Sequence, residues 1–289
     1  SLTSARFIST ASTNPDGPTA PHSEFEPFDT VSPLDLTSLT EAQKSIPEHI
    51  GFLKELGLEF GWGPTSCMQW LLEHIHVWSG APWWASIVLA TVLIRTLQVP
   101  GYLRLSDVGA RMKEVHPFAL PVMERYKKAA TTQDIVTMHL AKQELDDIYK
   151  KSGINKWWFF WPLAQIPVFY GFYNLLKSMA QIPVPGLVDG GVLWFQNLAV
   201  ADPLVVLPLI SAGSIAMTLA FGGDTGNTTI SPQIRKGLMI FMPLVSLIFL
   251  YSWPAAMTVY FATSSLYGLL QNFALRSATF RSLFGLYPI

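Results

Sequence analysis

Arg95 is the only charged residue in WWASIVLATVLIRTLQVP, the run from Trp83 to Pro100. A run this long and apolar is close to the roughly 20 residues a helix needs to cross a bilayer. An arginine at the centre of such a helix costs roughly 2.5 to 3.5 kcal/mol on insertion scales, so it belongs in a protein interior or a wet cavity rather than against lipid. The rest of the chain must therefore supply polar surroundings for this side chain. The composition agrees, since 50% of the 289 residues are hydrophobic and only 13% are charged. That balance points to an integral membrane protein rather than a soluble domain.

Four further apolar runs follow. The spans are expected at 83–100, 157–176, 203–221, 238–253 and 254–275. In the second, WWFFWPLAQIPVFYGFYNLL, Pro162 and Pro167 should kink the helix, as membrane helices allow when neighbours satisfy the freed carbonyls. The insertion at 101–156 carries ten basic against seven acidic residues, a balance of +3. Leu103–Val115 and Gln133–Lys151 have helical patterning, which predicts a helical hairpin. Pro117 and Pro121 are expected to interrupt its first half, Thr132 to cap its second helix and Gly153 to end it. Before the first span, residues 61–80 read as an amphipathic helix lying on the membrane, with Met68, Leu71, Leu72, Ile75 and Trp78 on one face. Residues 1–60 hold three basic against nine acidic residues and five prolines between Pro15 and Pro33, so they read as a largely disordered acidic arm. A short helix is expected within it at Glu48–Leu58. The Ser-, Thr-, Ala- and Pro-rich start suits either a processed presequence or a plain tail.

Lys and Arg in short loops orient a membrane protein. The 101–156 and 222–236 loops and the C-terminus carry most of them, whereas the arm and the 178–202 loop are acidic. The first set is expected on the cytosol-like or matrix side and the arm on the other. Several activities are disfavoured. Cys67 is the only cysteine, so no intrachain disulfide or multi-cysteine metal site forms. His74 and His76 do not share a helical face. GGDTGNTTISPQIRK is glycine-rich but lacks the phosphate-cradle spacing. A net charge of -1 gives no nucleic-acid footprint. No serine, cysteine or histidine arrangement suggests hydrolysis, and no cofactor is expected.

The order of these features resembles the YidC/Oxa/Alb family of membrane protein insertases over Gly61 to about Phe280. The resemblance rests on an amphipathic helix before the first span, Arg95 in IRTLQVP and a charged hairpin. It also rests on PLAQIPVFYGFY with Gln165, and on FMPLVSLIFL followed by WPAAMTVYFATSS. The stretch GWGPTSCMQWLLEHIHVWSGAPWWASI looks most like the mitochondrial inner-membrane Oxa branch. The resemblance implies an all-α integral membrane protein with five transmembrane helices, a matrix-side hairpin and an interfacial helix. The arm would lie in the intermembrane space and the C-terminus in the matrix, with residues 281–289 as a C-terminal stub. Its partners would be nascent membrane proteins, the lipid bilayer and the mitochondrial ribosome, the last mainly through a basic tail. Only Arg276 and Arg281 stand where that tail would begin.

The family also implies a hydrophilic groove that works without nucleotide. Thr91 and Gln98 share a face with Arg95; Gln165, Ser214, Tyr260 and Ser264 are the polar candidates on other spans. Gln165, Pro254, Tyr260 and Phe261 are expected near a client helix, and Arg111, Lys113, Lys127 and Lys128 on a recruiting hairpin surface. Short first and fourth spans should thin the bilayer. The structural alternatives for Arg95 are a buried ion pair or a snorkelling side chain. Gln165, Tyr260 and Ser264 could equally be interhelical glue. At the level of function, the alternatives are a respiratory-complex assembly or structural subunit and a small-solute transporter.

Overall fold

Prolines and glycines set where the helices begin and end. The computed structural model describes residues 49–182, 184, 186–221 and 232–288, with residues 232–235 as backbone alone. All of these lie in one compact unit. The acidic arm up to residue 48 and the loop carrying GGDTGNTTIS fall outside the described residues. The elements are α1 (Phe52–Glu55), α2 (Pro64–Ser79), α3 (Trp83–Thr131), α4 (Ile135–Lys151), a 3-10 helix (Lys156–Ala164), α5 (Gln165–Gln181), α6 (Val206–Ala220), α7 (Pro232–Tyr251), α8 (Ala255–Arg276) and α9 (Ala278–Leu283). Among the described residues the only extended pairings are two isolated bridges, Val192 with Phe195 and Ala201 with Pro254.

Pro64 occupies the first turn of α2, where its missing N–H costs nothing. Gly80 closes the helix in the left-handed conformation at φ 60°. Pro82 then caps α3, which runs for 49 residues. That is about 74 Å if straight, more than twice a hydrocarbon core of ~30 Å. It is the one helix among the described residues both long and apolar enough to cross a membrane. The apolar parts of α6 and α7 are shorter.

Pro100, Pro117 and Pro121 all lie inside α3. The expected interruption at Pro117 and Pro121 does not occur. An internal proline costs about 3 kcal/mol, but here its neighbours are held by packing. Val108, Val115 and Ala119 form a core of their own with Tyr149 and Ile154 of the segment that returns. The return is capped by Asp134, whose carboxylate accepts the Thr137 N–H at 3.2 Å; Thr132 instead closes α3. Those hydrogen bonds hold the Asp134 carboxyl below its ordinary range. Gly153, at φ +66°, ends α4 as expected.

The second apolar run divides in two. Residues 156–164 wind as a 3-10 helix, and α-geometry starts at Gln165. A 3-10 stretch of nine residues is long. Pro162 has no N–H for the carbonyl four residues back, and Pro167 removes the next such bond. Trp161 of this stretch lies on α3 at Gly101, where an added Cβ would come within 1.9 Å of the indole. Gly101→Ala is therefore expected to lower stability by about 1–3 kcal/mol, read as a drop in the unfolding midpoint in detergent.

Residues 49–60, expected to belong to the disordered arm, pack onto the main core. Phe52, Leu53 and Leu58 are buried in the main core. Of the helix expected at Glu48–Leu58, Glu48 lies outside the described residues, and within the rest the helical residues are Phe52–Glu55, followed by Gly57 at φ +88°. This packing turns α2. Its buried face is Thr65, Met68, Gln69, Leu72, Glu73 and His76, while Trp70 and Trp78 point outward. Glu73 accepts N–H groups from Gly51 and Leu53, Gln69 donates to the Leu58 carbonyl, and His76 stacks on Trp83 at 3.8 Å. Polar residues thus face inward because they serve the backbone of 49–58.

Element α8 lies at the centre, against α3, α5, α6 and α9. Its first amides donate to loop carbonyls, Ala255 to Val200 and Ala256 to Leu198. Pro254 is its N-cap.

Candidate functional site

The guanidinium of Arg95 reaches across from α3 to α8. Its Nε donates to Ser264 Oγ at 2.9 Å, and Nη2 donates to the same oxygen. No carboxylate pairs with Arg95 among the described residues, so the buried-ion-pair reading has no partner there. Ser264 is the tenth residue of the 22 in α8, so the side chain is held at mid-helix rather than drawn out to an end. A neutral serine satisfies two donors and leaves the charge uncompensated, and the guanidinium keeps further N–H groups. Arg95 is half-buried.

One turn earlier on α8, Tyr260 meets α5. Gln165 Nε2 donates to the Tyr260 hydroxyl at 3.2 Å. Tyr260 and Ser264 are i and i+4, hence on one face about 6 Å apart along the axis. Gln165 sits where the 3-10 helix becomes α5. Its Oε1 is buried and has no hydrogen-bond partner among the described residues, and the same holds for Gln98 Oε1. The ring of Tyr260 stacks on Phe172 at 4.6 Å. Phe261 touches Phe169 and Trp253 at 5.6 and 5.7 Å. Pro254 and Phe261 are both half-buried near that aromatic ladder.

Two sequence-derived candidates stand apart from these pairs. Thr91 is buried, and its hydroxyl donates to the Ile87 carbonyl at 2.7 Å, so it turns onto its own helix. Ser214 is buried on α6 and belongs to neither pair. Other polar groups were missed. Thr96 and Tyr267 share a hydrogen bond at 3.1 Å beside the Arg95 pair. Gln271 and Asn272 are buried, with Gln271 Oε1 and both amide atoms of Asn272 unpartnered among the described residues. The register Arg95 to Ser264 could have flagged Gln271, seven residues on and on the same face.

The four hairpin cations do not form one patch. Arg111 binds Asp107 at 3.0 Å and lies over the Tyr287 ring at 5.3 Å. Lys113 is half-buried, and burial, then Arg276 and Arg281, push its pKa down. Lys127 and Lys128 are exposed near the turn, about 24 Å along the helix from Arg111.

The stub contains a site the sequence did not announce. Arg281 is 2% exposed. It donates to Ser106 Oγ at 2.8 Å, to the Leu275 carbonyl at 3.0 Å and to the Tyr287 carbonyl. Asp107 accepts the Tyr287 N–H at 2.8 Å. The end of α8 is thereby tied to the middle of α3.

Residues 74–281 match a family described as 60Kd inner membrane protein. The chain is 31% identical over 283 residues to the mitochondrial inner membrane protein OXA1 of Monosporozyma servazzii, covering 96% of this chain and 75% of that one. It is 34% identical over 238 residues to OXA1 of Saccharomyces cerevisiae, covering 82% and 58%. With OXA1L of Mus musculus the identity is 34% over 230 residues, covering 79% and 53%. The chain thus spans three quarters of the first relative and just over half of the other two.

Proposed function

Because the chain belongs to the YidC/Oxa/Alb family of 60Kd inner membrane proteins, we propose that it is a membrane protein insertase of the mitochondrial inner membrane. The observation that carries this reading is Arg95, a cation with no described counter-charge, held at mid-helix beside Ser264, Tyr260 and Gln165. In this reading α3, the 3-10 helix with α5, α6, α7 and α8 are the five spans. The turn-back of α3 on α4 is the matrix-side hairpin, α2 lies in the interface with Trp70 and Trp78 at headgroup depth, and the arm lies in the intermembrane space.

A wet, positively charged half-channel lowers the cost of carrying acidic client residues through hydrocarbon. The unpartnered atoms of Gln98, Gln165, Gln271 and Asn272 would each cost about 1–3 kcal/mol if dry, which supports water along α8 from the matrix side. The client's apolar segment then leaves sideways past Gln165, Tyr260, Phe261 and Pro254 into lipid, driven by apolar burial. The hairpin, chiefly Lys127 and Lys128 at its tip, meets nascent chains or the mitochondrial ribosome. Nothing in this scheme consumes nucleotide. Proteoliposomes holding only this chain should insert a purified client without ATP or GTP. Strict dependence on added nucleotide would contradict the scheme.

The alternative of an assembly or structural subunit draws on the burial of Ser264 and Tyr260 in helix contacts, where such bonds also act as glue. The half-exposed Arg95 and Gln165 favour the insertase.

A further inference from the structure

Between Lys156 and Arg235 the chain has one basic residue, Lys177. It stands one turn from the end of α5, the end that leads into the acidic 178–202 loop. Under the proposed topology this is the intermembrane-space end, where the charge bias disfavours lysine. The side chain is exposed, yet it is placed. Its ammonium lies 5.5 Å from the Tyr173 ring centroid and 3.5 Å from the Tyr173 hydroxyl. No carboxylate pairs with it among the described residues. Asp202, the nearby loop acid, is committed to the Leu204 and Leu207 amides at the start of α6.

Lys177 borders a cavity of about 340 Å³ whose lining also includes Tyr173, Gln181, Ser252, Trp253 and Pro254. Trp253 and Tyr173 form its aromatic wall, with ring centroids 5.0 Å apart. Ser252 of the lining is an exposed residue. Below it α7 presents Phe249, Val245 and Leu244 outward, an apolar track suited to an acyl chain. A cation, a hydroxyl and two amphipathic rings at headgroup depth fit one ligand chemistry.

We infer that this cavity binds the phosphodiester of an anionic glycerophospholipid in the outer leaflet, with Lys177 and Ser252 on the phosphate and Trp253 and Tyr173 against the glycerol. The ammonium beside the rings repels a choline head, so an anionic lipid with a neutral headgroup is preferred. The inference rests on the reading of α5, α7 and α8 as membrane spans.

The test is native mass spectrometry of the full chain in detergent, titrated with dioleoyl phosphatidylglycerol or dioleoyl phosphatidylcholine. The wild type should hold one saturable phosphatidylglycerol adduct. Lys177→Gln should weaken it about tenfold, the loss of one charge-assisted hydrogen bond, and Lys177→Arg should keep it. Lys54→Gln, an equal charge change elsewhere, should leave it intact, and phosphatidylcholine should bind less tightly. Equal binding by wild type and Lys177→Gln, or an equal loss in Lys54→Gln, overturns the site. Displacement of the lipid by a glutamate-rich peptide with higher affinity overturns it in favour of a client carboxylate. Adducts insensitive to Lys177, or no saturable adduct in any variant, overturn the site and leave the insertase reading standing, because that reading is tested separately by crosslinking to a client.

Discussion

Arg95→Ala should slow insertion of clients with acidic translocated ends about tenfold, which corresponds to roughly 1.4 kcal/mol of barrier. The estimate is a fraction of the roughly 2.5 to 3.5 kcal/mol charged for an acidic residue at the bilayer centre. Clients with neutral ends should be affected much less, because the guanidinium has no charge to meet in them. Arg95→Lys should lie between the two, since an ammonium keeps the charge but cannot present two N–H groups to Ser264 in a fixed fork. The fold should survive the alanine change, because Arg95 is half-buried and its one described side-chain partner is a hydroxyl that can turn to water. The assay is protease protection of the translocated end in proteoliposomes, run over a series of clients differing only in the charge of that end. A uniform slowing across the series would mean that Arg95 serves packing alone.

Arg281→Ala should act on stability instead. The change deprives the Ser106 hydroxyl and the Leu275 and Tyr287 carbonyls of a charged donor in a buried setting. Taking about 1 kcal/mol for each bond, a value below the range of about 1.5–3 kcal/mol for a charged donor, the loss is at least about 3 kcal/mol. The melting temperature in detergent should fall by roughly 6–12 °C at 2–4 °C per kcal/mol. Arg281→Lys should recover part of it. Limited proteolysis should release the segment after Arg276 in the alanine variant first, because Tyr287 would lose its carbonyl's charged donor and be held by its amide bond to Asp107, the Arg111 guanidinium over its ring and its hydroxyl's contact with Glu114. An unchanged melting temperature with an intact C-terminal segment would contradict the clasp.

The two arginines show what a sequence does and does not disclose. Arg95 announces itself because a charge in an apolar run is a local anomaly, visible without neighbours. Arg281 stands in a short mixed segment after α8, between Phe280 and Ser282, where an arginine is ordinary. Only its tertiary partners, Ser106 and Tyr287, make it exceptional. The same distinction runs through the helices. Pro64, Gly80 and Pro82 act within a turn or two of themselves, so the break between α2 and α3 was legible. Pro117 and Pro121 act locally too, but packing of Val115 and Ala119 against Tyr149 and Ile154 outweighs them. On α2 the apolar residues Met68, Leu71, Leu72 and Ile75 do share a face, which packs on the core, whereas Trp78 points outward; Gln69, Glu73 and His76 are drawn inward by residues 51–58 and Trp83, whose presence the periodicity of α2 cannot report.

At the site, the sequence pointed to Arg95, Gln165, Tyr260 and Ser264, and the fold joins them as two pairs on one face of α8. The spacing of Tyr260 and Ser264 was readable. Which of them would meet α3 and which α5 was not, since it depends on how three helices pack. Thr91 was expected in the groove on helical register alone, but a threonine in a helix can return its hydroxyl to the carbonyl four residues back, and here it does.

The most direct test of the insertase account is site-specific crosslinking. A photoreactive residue is placed at Gln165 in one variant and at Tyr260 in another, each in the full chain in its membrane. Both are challenged with a stalled, ribosome-bound nascent membrane protein. The account predicts that both positions crosslink to the client's hydrophobic segment, and that the crosslinks vanish once the client is released and integrated. Silence from both positions, with the variants folded and membrane-embedded, would contradict it and leave the assembly-subunit reading in its place.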